Sequence, residues 1–291
     1  MPVTFHLSLF WGVMMQLSGR SFISALAVAV ALVSTAVYAQ KDSKAKDTYT
    51  PMVGQEGKDV VWVPTSQALV DRMLEMAQLT PKDRLVDLGS GDGVTVITAA
   101  KRGIKARGIE YNPDMVALSK KRAQAAGVSG RATFVQGDIF QTDFSDATVV
   151  TLFLLPNLNI KLRPILLNMP PGTRIIANTF DMADWEPDET AEVTKDCETY
   201  CRALKWIVPA KVQGTWEIDG KKLALTQNFQ MLKGALGDGA APSQLSDGRL
   251  EGSRIRFSIG TDRYVGEVRG DGMQGTINGS QRWQARRMAG S

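Results

Sequence analysis

Histidine is nearly absent from this 291-residue chain: the single one is His6, inside an apolar N-terminal region. That excludes Ser-His-Asp and Cys-His catalysis and any His-ligated zinc. Only two cysteines occur, Cys197 and Cys201. One C-x3-C pair cannot complete a metal site. It reads as two thiols on adjacent helical turns or, if this part of the chain is exported, as a local disulfide; the thiol pair is the simpler expectation. A phosphate-binding loop would require G-K-[ST], which the sequence lacks. Excess charge is also lacking. The net charge of +4 does not by itself imply a nucleic-acid partner, and none is expected.

What is present centres on Arg84-Leu-Val-Asp-Leu-Gly-Ser-Gly-Asp-Gly93. Leu85, Val86 and Leu88 make the short apolar run of a buried parallel strand. Gly89, Gly91 and Gly93 end it with a turn free of Cβ atoms, so a ligand can lie against bare backbone. Val94–Lys101 then reads as a helix whose first amides face that ligand. Val94 stands where the dinucleotide fingerprint needs its third glycine. Asp87 and Asp92 bring negative charge, which disfavours phosphate and suits a cation. The stretch resembles the first motif of class I S-adenosylmethionine-dependent methyltransferases, and that cofactor, cationic and without phosphate, is the expected ligand.

The chain on either side supports an α/β reading. Ser21–Gln40 is uncharged and rich in Ala, Val and Leu, follows Arg20, and ends in a small-residue cleavage pattern around Ala39. It is expected to be a signal peptide or an uncleaved membrane anchor, placing the protein at the cell envelope, exported or tethered. Lys41, Lys44 and Lys46 outnumber Arg20, which would hold an uncleaved anchor's enzyme on the cytoplasmic side. Residues 41–58 are polar and aperiodic, a linker. Val63-Pro64-Thr65 opens a helix capped by Thr65 or Ser66, running to about Leu79. Trp62 before it is either core packing or a lid over the glycine loop.

A second strand, Ala106–Ile109, ends in Glu110, which lies 21 positions past Gly89. In a doubly wound sheet that places a carboxylate beside the loop, able to accept both ribose hydroxyls. Pro113 starts the next helix, which runs to about Ala126 and is closed by Gly127. Ala132–Gln136 is the third strand, leading to Asp138 and Ile139. Ala147–Leu155 is a fourth strand, buried on both faces. It runs into Pro156-Asn157-Leu158-Asn159, where either asparagine is a hydrogen-bonding partner or a helix cap. A helix over Lys161–Asn168 precedes a fifth strand, Thr173–Thr179. Phe180–Pro187 follows at the same sheet edge, then the acidic positions Asp188, Glu189, Glu192, Asp196 and Glu198, read as a solvated face or an attractor for a basic substrate. The expected fold is a doubly wound, mainly parallel Rossmann-like sheet with a small antiparallel β-domain at its C-terminal end.

Four motifs together, V-P-T, D-L-G-S-G-D-G, T-L-F-L-L-P-N-L-N and D-W-E-P, resemble the small seven-strand lysine methyltransferases. That group includes the enzymes acting on the ATP synthase c subunit and the mitochondrial adenine nucleotide carrier. The resemblance covers about Asp59–Asp188. It implies cofactor contacts from Trp62, Thr65, Asp87, Gly89, Ser90, Gly91, Asp92, Gly93, Glu110, Asn112, Asp138 and Ile139, with Asp138 accepting the adenine amino group. It places the acceptor near the end of the fourth strand, where Asn157, Asp181 and Trp185 are the expected catalytic positions. It implies transfer of a methyl group to a protein with an accessible lysine. A small molecule or lipid as acceptor, and a binding protein that no longer catalyses, are the alternatives.

Beyond residue 206 helical periodicity vanishes. From Pro209 onward there are 12 Lys/Arg against 8 Asp/Glu. Gly214–Ile218, Lys222–Gln230, Arg254–Ile259, Arg263–Val268 and Gly275–Asn278 read as short strands separated by Gly-Asp and Asp-Gly turns. Trp216 and Trp283 are placed to close a small meander or half-barrel with a basic outer face.

Overall fold

A computed structural model describes residues 49–238 and 241–289. The expected signal or anchor, 1–40, lies outside the described residues.

Helix α1 (Gln67–Met76) is capped by Ser66, whose hydroxyl accepts from the Leu69 amide at 3.3 Å. It buries Leu69, Val70, Met73, Leu74 and Met76. Strand β1 (Arg84–Leu88) follows, buried at every position but the first. Then come α2 (Val94–Lys101), β2 (Lys105–Glu110), α3 (Pro113–Ala125), β3 (Ala132–Gln136), β4 (Val149–Leu152), α4 (Pro156–Leu166) and β5 (Arg174–Asn178). Two further strands, β6 (Glu189–Glu192) and β7 (Arg202–Ile207), complete a seven-stranded sheet ordered β3-β2-β1-β4-β5-β7-β6. All pairings from β3 to β5 are parallel, and β7 runs antiparallel to both its neighbours.

The register fixes where the site must be. Val135, Ile109, Leu88, Leu152 and Ala177 form one row across β3, β2, β1, β4 and β5. The residues immediately after that row (Gln136, Glu110, Gly89, Phe153 and Asn178) therefore emerge together at the carboxyl edge, where α/β sheets bind ligands. Apolar clusters cover both faces of the sheet. One gathers α1, α2 and α3 around Leu85, Ala106 and Ile176. The other gathers Val86, Ile109, Val150, Leu162, Trp185 and Trp206.

Strands β8 (Gly214–Ile218), β9 (Lys221–Asn228), β10 (Met231–Leu236), β11 (Ser243–Glu251), β12 (Arg254–Ile259), β13 (Asp262–Arg269), β14 (Gly272–Ile277) and β15 (Gln281–Arg287) run up and down and close into a barrel, β15 pairing β8. The expected small meander or half-barrel is a full barrel, which leaves no unpaired edge. Trp216, Trp283, Phe257 and Tyr264 fill it, the last two stacked at 4.7 Å. The described residues from 51 onward belong to one compact unit. The barrel is joined to the sheet domain by Arg249 to Asp188 at 2.6 Å and by Gln230 Nε2 donating to the Glu186 carbonyl at 2.8 Å.

The cysteines differ from expectation. Residues 193–201 are a loop between β6 and β7 rather than a helix, and Cys197 and Cys201 form a disulfide with Cα atoms 5.8 Å apart. The supposed linker also differs. Residues 51–58 are turned back on the domain: the Gly54 amide donates to the Trp62 carbonyl and the Trp62 amide to the Gln55 carbonyl, each at 2.9 Å.

Candidate functional site

The glycine loop is built on β2. The amides of Gly89 and Ser90 donate to the Ile109 carbonyl at 2.9 and 3.1 Å, which hooks the loop over the end of the neighbouring strand. Gly89, Gly91 and Gly93 all have φ in the left-handed region, at 74°, 51° and 84°. Space reinforces the choice of residue. A Cβ on Gly91 would lie 2.7 Å from Trp62 Nε1, and one on Gly93 would lie 2.8 Å from the Phe134 ring. The Gly91 carbonyl accepts from the buried Ser119 hydroxyl at 2.9 Å.

Glu110 fastens the other side of the loop. Its Oε2 accepts from the Gly91 amide at 2.8 Å and its Oε1 from the Asn112 amide at 2.9 Å. Each oxygen retains a further lone pair. Asn112 Oδ1 caps α3 by accepting from the Asp114 and Met115 amides. Asp92 accepts from the Val94 amide and pairs with Arg122.

Asp87 is buried at the end of β1, where its Oδ1 accepts from Thr151 Oγ1 at 2.6 Å. Burial pushes its carboxyl from an ordinary 3.8 up to about 7; the Thr151 hydroxyl opposes the shift, and the charges of Glu110 and Asp92 add to it. A cation arriving beside it would relieve that cost. Asp138 has the opposite character. Lys58 Nζ donates to Oδ2 at 2.6 Å and the Phe140 amide to Oδ1 at 2.8 Å, and these bonds hold its carboxyl below the usual range.

These groups surround one cleft. Trp62, Thr65, Asp87, Gly89, Ser90, Gly91, Asp92, Glu110, Asn112, Asp138 and Ile139 all line it. Gly93 lies behind it and supports the loop against Phe134 and Ser119. Thr65 accepts from Asn178 Nδ2 at 3.3 Å, which ties the entry to α1 to the end of β5.

The three expected catalytic positions are not in the cleft. Trp185 is fully buried between Trp206 and Phe229, with ring centroids 6.1 and 5.8 Å away. Asn157 is exposed on the first turn of α4, because Pro156 begins that helix earlier than expected. Asp181 is exposed and its Oδ1 accepts from the Ala183 amide at 3.1 Å. Asn159, two positions on from Asn157, is the structural asparagine. It is fully buried, and its Nδ2 donates to the carbonyls of Phe180 and Asp181 at 3.0 and 3.1 Å.

Sequence reading missed two parts of the lining. One is the strap Gln55–Val61, whose first part, up to Lys58, resembled a linker by its polarity. The other is an aromatic end made by Phe153, Phe180 and Tyr200. Phe153 and Phe180 were findable from the strand-edge rule, since each follows a strand at the carboxyl edge. Nothing local marks Tyr200.

The chain is similar to several known proteins. A family model for the ANTKMT methyltransferase domain matches residues 87–189. The protein-lysine N-methyltransferase of Saccharolobus islandicus is 43% identical over 137 residues, which cover 46% of this chain and 85% of that protein. The Mus musculus lysine N-methyltransferase named for the ATP synthase c subunit is 38% identical over 130 residues, and the chain spans about half of it, 52%. A solved RNA methyltransferase of Salinibacter ruber, in complex with S-adenosyl-L-homocysteine, is 46% identical, with 52% of this chain and 96% of that one covered at a TM-score of 0.48. The matched residues contain the glycine loop, Glu110 and Asp138. The chain belongs to the family of S-adenosylmethionine-dependent methyltransferases that carry the ANTKMT-type domain.

Proposed function

We propose that the protein methylates lysine side chains of a protein substrate, with S-adenosylmethionine held in the cleft between the Gly89–Gly93 loop and the strap. The observation that carries the cofactor placement is the convergence of bare loop backbone with Asp87, Glu110 and Asp138 on one cleft. When bound, the cofactor would supply a methyl group on a positively charged sulfur, an electrophilic carbon from which a neutral amine can displace the sulfide. The chain's own residues then have separable roles. Glu110 takes the ribose hydroxyls on its free lone pairs. Asp138 takes the adenine amino group. Asp87 offers negative charge to the cation. Trp62, over Gly91, walls the cleft from water. Alignment rather than acid–base chemistry is what such a displacement needs, so a chain whose only histidine is His6 is adequate. The lysine acceptor rests on the archaeal and mouse relatives named for lysine methylation.

The test is transfer from labelled cofactor to three acceptor pools: proteins, RNA, and small metabolites with lipids. Label in protein, recovered as methyl-lysine after hydrolysis, is the expected result. Label only in the other pools would replace the lysine reading, and cofactor binding without transfer to any pool would favour a binding protein.

We also propose an envelope location, exported or tethered through residues 21–40. The Cys197–Cys201 bond supports it, since disulfides persist in oxidising compartments. Fractionation with sequencing of the mature N-terminus decides it.

Asp87 gives a pH prediction. Its folded pKa is raised, so its contribution to the free protein's stability is complete below the ordinary carboxylate range and is lost as pH rises through about 7. Binding a cation reverses the preference by favouring the ionised form. Cofactor affinity should therefore rise with pH between about 5.5 and 7.5, with proton release on binding. Asp87→Asn should flatten both, as read by calorimetry in buffers of different ionisation enthalpy.

A further inference from the structure

The aromatic end of the cleft has a composition of its own. Phe153 leaves β4, Phe180 leaves β5, and Tyr200 leaves the loop before β7. Their rings form a continuous wall, with centroids 5.2 Å apart for Phe153 and Tyr200, 5.8 Å for Phe180 and Tyr200, and 6.2 Å for the two phenylalanines. All three line the same cleft as Glu110 and Asp138. Phe153 and Phe180 are half-buried, whereas Tyr200 is 42% exposed and forms the outer end.

Two of the rings are held by something specific. Asn159 fixes the turn that carries Phe180 through its two carbonyl contacts. Tyr200 sits in the left-handed region at φ 56°, a conformation a tyrosine rarely adopts unless its surroundings impose it. It lies inside the loop closed by the Cys197–Cys201 disulfide, next to the second cysteine. The Val193 amide donating to the Cys201 carbonyl at 2.9 Å closes the same loop. An exposed side chain in a costly backbone conformation is thus held against two rings at the mouth of a reaction cleft.

We propose that Phe153, Phe180 and Tyr200 form the acceptor entrance, a wall that takes an alkylammonium side chain, and that the disulfide positions Tyr200 within it. The chemistry fits in two ways. Aromatic faces attract a cation through their quadrupole and also pack against an aliphatic stem. The same wall removes water from the stem, so that an amine losing its proton to solvent can enter toward the cofactor. The proposal rests on the lysine reading of the acceptor.

The test is binding, read separately from turnover. The full chain, saturated with S-adenosylhomocysteine, is titrated by NMR with Nα-acetyl-trimethyllysine amide and with the neutral Nα-acetyl-norleucine amide. The ammonium form is expected to bind about five- to tenfold more tightly. Tyr200→Ala should abolish that preference and Tyr200→Phe should keep it. The paired Cys197→Ser and Cys201→Ser variant should reduce it, and affinity for S-adenosylhomocysteine should stay within about twofold throughout, since cation–π contacts act only on the acceptor. Equal binding of the two amides, or a preference that survives Tyr200→Ala, would overturn the proposal. A preference found alongside label that never reaches protein lysine would leave the wall standing and remove the lysine reading. Methyl-lysine formed with no ammonium preference would do the reverse.

Discussion

Replacing Glu110 with alanine should weaken binding of S-adenosylhomocysteine by roughly 100- to 1,000-fold, the value of two lost charge-assisted hydrogen bonds. The carboxylate does two things at once. It presents lone pairs to the cleft, and it holds the Gly91 and Asn112 amides at 2.8 and 2.9 Å. Alanine removes both, leaving the Gly91 amide without its partner beside the ligand. Glutamine separates the roles, because its single carbonyl oxygen can keep one amide while the charge is gone. Glu110→Gln should therefore fold with a near-normal melting temperature and still lose most of the affinity. Calorimetry paired with thermal unfolding checks this. Alanine affinity within about threefold of the parent would refute the assignment, since even one such bond is worth more.

That half of the site was legible because it is local. A strand, a glycine turn, a helix and a second strand ending in an acid lie within Arg84–Glu110, and parallel pairing of β1 with β2 leaves almost no freedom in where Glu110 emerges. The acceptor half is assembled from Phe153, Phe180 and Tyr200, whose proximity depends on β4, β5 and an antiparallel β7 lying side by side. No period in the sequence announces an inserted antiparallel strand. The acidic run over β6 resembled a solvated face because β6 is an edge strand with no fully buried residue. C-x3-C fits a helix and a tight loop equally well, and of the two positive φ values that decide for a loop, at Asp196 and Tyr200, the one at Tyr200 belongs to a residue type that does not signal it. In the barrel, β12 was readable from its alternation and β13 from the turns that flank it. Strands β10 and β11 were not, because their pairing shifts register between Leu232 and Ala235 and between Ser246 and Arg249, which breaks the period of two.

Trp185 is where the two kinds of reading separate most sharply, and the expected result runs opposite to a catalytic role. Its ring is fully buried, stacked at 17° on Phe229 from the β9–β10 turn and tilted against Trp206, whose Nε1 donates to the Trp185 carbonyl at 2.6 Å. The residue thus packs the sheet domain against the barrel. Truncation to alanine leaves a large void and should cost about 3–5 kcal/mol of stability. For a domain of this size that lowers the melting temperature by roughly 10 °C. Trp185 Nε1 has no hydrogen-bond partner among the described residues, so phenylalanine loses packing volume without stranding a polar group. Trp185→Phe should keep cofactor affinity and turnover within about twofold of the parent and unfold at a temperature between the other two. The main-chain contact from Trp206 is common to all three proteins, so differences among them report the ring alone. If Trp185→Phe lost activity tenfold or more with its melting temperature unchanged, the indole would have to reach the acceptor, and the barrel-facing position found for it would be wrong.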